Sequence, residues 1–312
     1  MKSKPHLDWN AQLLRLKERG LVIDDDDFAL QTLKKVNLYR LRGYFHVYLS
    51  DEKTATGIEL FKPNTRLEDL VDLIDFDFKL RGLLFEVLSQ FELSLRTNFA
   101  YHGGRLDPHL HVSGQGLSEN FRSLNFAGKQ DHTAWLEDYK KRVTRMGSEE
   151  FVRWHLENKS GRLPIWVAVE IMDFGALSKL FRSASQRLSY AVAGEYGCTP
   201  TLLKSWSASL NDLRNSVAHQ NRLWNGVYPL SPKTNKRQLP TELLHLDSQD
   251  DYARHKIYSR LAILCWLDRD SRFNIDFKKR LLQLLASFPV SPYIALSQMG
   301  FPEDWQNLEI WR

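Results

Sequence analysis

The residues whose chemistry is easiest to name are an arginine and a histidine five positions apart, Arg214 and His219, in the stretch RNSVAH. Of the ten histidines, only His219 has an arginine at that spacing. An imidazole, with an ordinary pKa of about 6.5, can take the proton of an RNA 2′-hydroxyl or give one to the departing 5′-oxygen. A guanidinium can hold the scissile phosphate. Because the 2′-hydroxyl is the nucleophile, this chemistry requires no metal ion or other cofactor and does not cleave DNA.

The helix that carries the motif takes its apolar face from other residues. Thr199 and Pro200 are typical of a helix start. The apolar positions behind them are Leu203, Trp206, Leu210, Leu213 and Val217. The core therefore does not need the motif residues Arg214, Asn215 and His219. Asn215 lies four residues before His219, where its amide is expected to hydrogen-bond the imidazole. The alternative is that the arginine and the histidine only cap the helix and its neighbours.

The positions of the two residues on the helix predict a second chain. Arg214 lies about 140° around the helix from His219. One helix is therefore a poor active site on its own. A two-fold axis would bring one arginine and one histidine from each chain to a shared cleft, so we expect a homodimer.

The rest of the chain predicts an all-α protein, because apolar residues recur at helical spacing far more often than they alternate. The longest helical region starts at a capping box formed by Thr65 and Glu68 and ends at Gly103-Gly104. Gly82 is the expected place for a bend or break. Within it, Glu92 and Arg96 have the spacing of an intrahelical ion pair.

The predicted organisation has three parts. Residues 1–60 form an N-terminal helical module, residues 61–288 a helical core that carries the motif and additional C-terminal helices, and residues 289–312 a C-terminal tail. Two segments of the core are predicted to lack helices: a loop at 103–132, rich in Gly, Ser, Asn and His, and an exposed connection at 229–250 with three prolines.

Other polar clusters have simpler interpretations. The acidic run Asp24–Asp27 suits a helix start. The stretch YRLRGY at 39–44 could stack on bases and bind phosphates, or pack at the edge of the core. His102, His109 and His111 could hold a metal, but no cysteine or suitably spaced carboxylate completes that site.

Composition excludes several classes of protein. The 312 residues are 43% hydrophobic, enough for a sizeable core, and 43 Lys and Arg against 38 Asp and Glu give a net charge of +5, compatible with an anionic partner without demanding one. Two cysteines, Cys198 and Cys265, cannot form a disulfide framework and suit a reducing compartment. No apolar segment is long enough for a membrane span. We therefore expect a cytoplasmic protein.

Several blocks, in order, resemble the Abi family of abortive-infection proteins, of the AbiD/AbiF-like type, within the HEPN superfamily. The resemblance runs from about Lys4 to about Leu230, and the last 80 or so residues are not covered. The blocks are KPHLDWNAQLLRLKERGLVIDD, NLYRLRGYFHVYL, FDFKLRGLLFEVLSQFELSLRTNFAYH, LPIWVAVEIMDFGALSKLF and LRNSVAHQNRLWN.

The resemblance implies a HEPN-like helical bundle that acts as a homodimer in anti-phage defence, a toxic RNase with Arg214, Asn215 and His219 as its active-site residues. It implies RNA as substrate and, in AbiF-like systems, a small non-coding RNA as regulatory partner. Arg96 and His102 are six apart and miss the motif spacing by one residue, which favours a site shared between chains. The alternatives are an RNA-binding module that holds a structured non-coding RNA with little or no cleavage, and a protein-interaction scaffold.

Overall fold

The chain is almost entirely helical, as the spacing of its apolar residues predicts. A computed structural model describes residues 6–53, 57–125, 128–159 and 161–312. The α-helices are α1 (Trp9–Glu18), α2 (Asp26–Lys35), α3 (Leu38–Phe45), α4 (Leu67–Gly104), α5 (Leu110–Ser113), α6 (Glu119–Arg122), α7 (Asp131–Arg145), α8 (Glu150–Asn158), α9 (Ile165–Ala168), α10 (Phe174–Arg182), α11 (Gln186–Gly194), α12 (Pro200–Ala218), α13 (Asp251–Arg254), α14 (Tyr258–Leu267) and α15 (Phe277–Ala286). The strands β1 (Leu49–Lys53) and β2 (Glu59–Phe61) form one antiparallel hairpin.

Helix α4 is the central element, 38 residues long, or about 57 Å at 1.5 Å per residue. It ends at Gly104, as predicted, and continues uninterrupted through Gly82, where the sequence predicts a bend or break. The predicted capping box is one residue too early. The backbone N–H of Arg66 donates to Asp69 at 3.0 Å, while the hydroxyl of Thr65 donates to a backbone carbonyl of the preceding turn.

Helix α12, which carries the Arg–His motif, packs against α4, α10, α11 and α14. Thr199 caps its start by accepting a hydrogen bond from the N–H of Leu202 at 3.3 Å. The predicted apolar face is buried, with Trp206, Leu210 and Leu213 inaccessible to solvent. Burying that face determines which residues of α12 point outward.

The N-terminal helices pack on the same core. Asp25, within the acidic run, caps α2 by accepting from the N–H of Phe28 at 3.0 Å, which confirms the interpretation as a helix start. Helix α3 packs directly on α4. One continuous cluster of buried side chains extends from α1 to the C-terminal end of the chain.

Two segments predicted to lack helices are more ordered than expected. The segment 103–132 contains α5 and α6 and buries Leu110 and Phe121, while its residues 126 and 127 lie outside the described part. In 229–250, residues Thr241–Ser248 form a 3₁₀ helix whose Leu243 and Leu246 are buried. Both predictions were wrong because polar residues separate these buried apolar residues and hide the helical spacing in the sequence.

The C-terminal residues cover α14. The indole N–H of Trp311 donates to the hydroxyl of Tyr258 at 3.1 Å, and Phe301 packs edge to face on the same tyrosine. Within the described ranges, no helix combines the length and the apolar character needed to cross a membrane.

Candidate active site

The motif lies at the C-terminal end of α12. Helix α12 ends at Ala218, and His219 is the residue that follows its last turn. Asn215 and His219 are exposed, and Arg214 keeps 34% of its side chain accessible. The expected hydrogen bond from the Asn215 amide to the imidazole is absent: in the part of the chain described, neither side chain bonds to a protein group. Both are therefore available to a ligand.

Arg214 is held by a buried carboxylate of the central helix. Its Nε lies 3.5 Å from Oε2 of Glu92. The other oxygen of Glu92 binds Arg96 at 2.5 Å, which confirms the predicted intrahelical pair. Burial raises the pKa of Glu92, and the charges of Arg96 and Arg214 oppose that shift. One carboxylate thus positions two guanidinium groups.

The contact through Nε leaves the outer part of Arg214 unused. Among the residues with described positions, the two terminal nitrogens of Arg214 have no hydrogen-bond partner. A guanidinium anchored on one edge can still offer two parallel N–H donors to a phosphate. Arg214 is therefore both fixed in position and chemically available.

The chain after His219 is held by a buried carboxylate that the sequence analysis missed. Asp77 of α4 is 1% exposed. Its Oδ1 accepts from the N–H groups of Leu223 at 2.9 Å and Trp224 at 2.5 Å. Its Oδ2 accepts from the hydroxyl of Tyr44 at 3.0 Å and from Arg81 at 2.9 Å. Burial raises the pKa of Tyr44, so that its hydroxyl keeps the proton that it donates.

Arg81 completes this network at the end of α12. Its guanidinium donates to the carbonyls of Val217 at 3.2 Å and Asn221 at 2.6 Å. The last carbonyls of a helix lack intrahelical partners, and a cation there is favourable for the helix dipole. The Asp77–Arg81 pair therefore fixes the backbone on both sides of His219.

The segment YRLRGY packs at the edge of the core, which is one of its two predicted roles. Tyr44 and Leu41 are buried, while Tyr39 is 82% exposed. Arg40 donates to the carbonyl of Gln220 at 2.7 Å, which brings the segment against the residue that follows His219. Gln220 has a left-handed φ of 55°, so the chain turns sharply there. A basic side chain thus lies on the surface beside the motif.

The three histidines proposed as metal ligands do not converge. His102 pairs with Glu195 at 2.8 Å. His111 is fully buried against Tyr139, and burial lowers its pKa to about 3. Over residues 6–53, 57–125, 128–159 and 161–312, no group of three His, Cys, Asp or Glu side chains is arranged to hold a metal ion.

The fold and the site define a class: an all-α protein whose motif helix ends with an exposed Asn215 and His219 and a partly exposed Arg214. Residues 31–225, more than half of the chain, match the family described as Abi-like protein. The chain belongs to this family. The matched segment includes α3, α4 and α12, and so contains both the motif and the Asp77–Arg81 pair. No curated protein and no solved structure matches the chain.

Proposed function

We propose that this protein is an endoribonuclease of an abortive-infection system, of the HEPN type, that cleaves RNA without a metal ion. Membership of the Abi-like family supports the defence role. The observation that carries the chemistry is the state of the motif: an exposed imidazole at His219, and an anchored Arg214 whose two terminal nitrogens have no partner among the described residues. We further propose that the protein acts in the cytoplasm, where RNA is the partner.

The proposed reaction is a transfer of the phosphate to the 2′-oxygen. One His219 takes the proton of the 2′-hydroxyl, and that oxygen attacks the adjacent phosphorus. The bond to the 5′-oxygen breaks, and a second His219 protonates the departing oxygen. Arg214 binds the phosphate and stabilises the charge that develops on it. Asn215 supplies an exposed amide beside the imidazole for contact with the bound RNA.

The second His219 comes from a second copy of the chain, and the surface of α4 supports this. An exposed, uncharged stripe runs along the helix, with Phe78 at 70%, Phe85 at 58% and Leu93 at 49% exposure, and Gly82 and Ser89 between them. Contiguous exposed apolar surface is typical of an interaction site. Two copies packed through this stripe would bury it in a two-fold interface.

The stripe lies beside the motif helix. Phe85 is seven residues before Glu92 and so lies about 20° from it around α4. Glu92 is the residue that contacts Arg214. A dimer formed on this stripe would therefore bring both motifs toward one cleft, with one arginine and one histidine from each chain.

Cleavage of matched oligonucleotides tests the proposal. With excess EDTA present, we expect the purified protein to cut an RNA and leave a 2′,3′-cyclic phosphate and a 5′-hydroxyl. The same oligonucleotide with a 2′-deoxyribose at each cleaved position should stay intact there, because the nucleophile is missing. Loss of cutting in EDTA with the fold intact would contradict the proposal. RNA that is bound tightly but never cut would favour the RNA-binding module instead.

A further inference from the structure

A cluster of basic groups lies just past the motif, and nothing in the proposed reaction uses it. Arg222 is three residues after His219, and its Nη1 lies 3.4 Å from Nδ1 of His46. The amide nitrogen of Asn225 lies 3.3 Å from the other ring nitrogen of His46. Lys256, 3% exposed, donates to the side-chain oxygen of Asn225 at 2.6 Å. Three separate segments of the chain thus meet at one point.

The hydrogen-bond donors in this cluster outnumber the acceptors. A neutral imidazole has only one nitrogen that can accept a hydrogen bond. Two donors face that ring, Arg222 and the amide of Asn225. Lys256 occupies the oxygen of Asn225, so the amide cannot be turned round to accept. The Nε of Arg222 is buried and has no hydrogen-bond partner in the described part of the chain.

The charges in the cluster are also unbalanced. Where positions are described, neither Arg222 nor Lys256 forms an ion pair with a carboxylate. Burial lowers the pKa of His46, and the charges of Arg222, Lys256 and Lys62 add to this shift. Like charges in a partly buried group repel one another. A bound anion with several acceptor oxygens would relieve both the repulsion and the donor surplus.

We propose that Arg222, His46 and Asn225 form a phosphate-binding subsite for the RNA backbone, with Lys256 behind Asn225 as added positive charge. The inference rests on the proposed function, because it assigns the anion to the same substrate. Arg222 follows His219 by three residues, and the chain turns between them at Gln220, whose carbonyl accepts from Arg40 at 2.7 Å. An RNA strand cleaved at His219 would extend over the cluster with a phosphate next to the scissile one.

Binding of an uncleavable RNA tests the subsite without relying on catalysis. A fully 2′-O-methylated oligonucleotide cannot react, and fluorescence anisotropy measures its affinity for the intact chain. We expect Arg222→Gln to weaken binding about tenfold near 0.1 M salt and to reduce the slope of log K against log salt by about one. The matched control is Arg187→Gln, an exposed arginine of α11, which should bind within about twofold of the original protein.

A second experiment distinguishes RNA from a free anion as the ligand of the subsite. In NMR titrations of the His46 ring, inorganic phosphate and the methylated RNA should each raise its pKa, because an anion favours the protonated ring. RNA should do so at the lower concentration. Micromolar binding of inorganic phosphate, together with RNA affinity unchanged by Arg222→Gln, would overturn the assignment to RNA. Absence of RNA binding by the original protein would also overturn the assignment of the subsite to RNA. RNA binding without cleavage would leave the subsite standing and contradict only the proposed nuclease activity.

Discussion

Replacement of His219 by alanine is expected to slow RNA cleavage by about 10²–10⁴-fold, the usual contribution of a positioned acid or base. The loss should be at the upper end of that range, because in the proposed dimer the substitution removes both the base and the acid. The side chain is exposed and makes no hydrogen bond within the described ranges. The fold, the melting temperature and RNA affinity should therefore change little.

The measurement is single-turnover cleavage of an end-labelled RNA in EDTA, accompanied by a growth assay on expression. His155→Ala is the matched control, because His155 is a half-buried helix residue of α8 outside the motif. We expect the control to cut RNA and arrest growth as the original protein does. Equal cleavage by His219→Ala and the original protein would contradict the assigned role.

Replacement of Asp77 by alanine is expected to lower the free energy of unfolding by about 3–5 kcal/mol, the usual cost of removing one partner of a buried ion pair. The change leaves Arg81 without its carboxylate and leaves the N–H groups of Leu223 and Trp224 without an acceptor. Because those groups fix the chain after His219, cleavage at temperatures where the variant is folded should also fall.

Urea unfolding followed by circular dichroism measures this effect. Asp75→Ala is the control: Asp75 is an exposed residue of the same helix, and its loss should change stability by no more than about 0.5 kcal/mol. Tyr44→Phe removes a single hydroxyl from the same network and should cost about 1 kcal/mol. A loss of less than 1 kcal/mol in Asp77→Ala would contradict the role assigned to this carboxylate.

Much of the fold could be predicted because the spacing of apolar residues along a helix indicates which face of that helix is buried. The apolar positions of α12 lie in the core as expected, and the end of α4 at Gly104 was visible in the sequence. One local error arose at the start of α4. The capping box at α4 uses Asp69, one residue after the predicted Glu68, because both are acidic residues of the first turn.

The site was only partly predictable, since its support comes from residues distant in the sequence. Asp77 and Arg81 are four apart on a helix face that is otherwise apolar, which was a detectable signal, but their targets lie about 140 residues away. The contact of Glu92 with Arg214 likewise depends on how α4 and α12 pack. The expected side-chain bond from Asn215 to His219 does not form, although the backbone N–H of His219 still donates to the carbonyl of Asn215 at 2.9 Å.

The activity of a defined heterodimer tests the shared cleft most directly. Two affinity tags allow purification of dimers that pair an original chain with a chain carrying Arg214→Ala and His219→Ala. If each cleft needs both histidines, this heterodimer should cleave RNA at well under a tenth of the rate of the original dimer. If each chain acts alone, it should retain half of that rate. Retention of half the rate, or recovery of the original protein only as a monomer that cleaves RNA, would contradict the account.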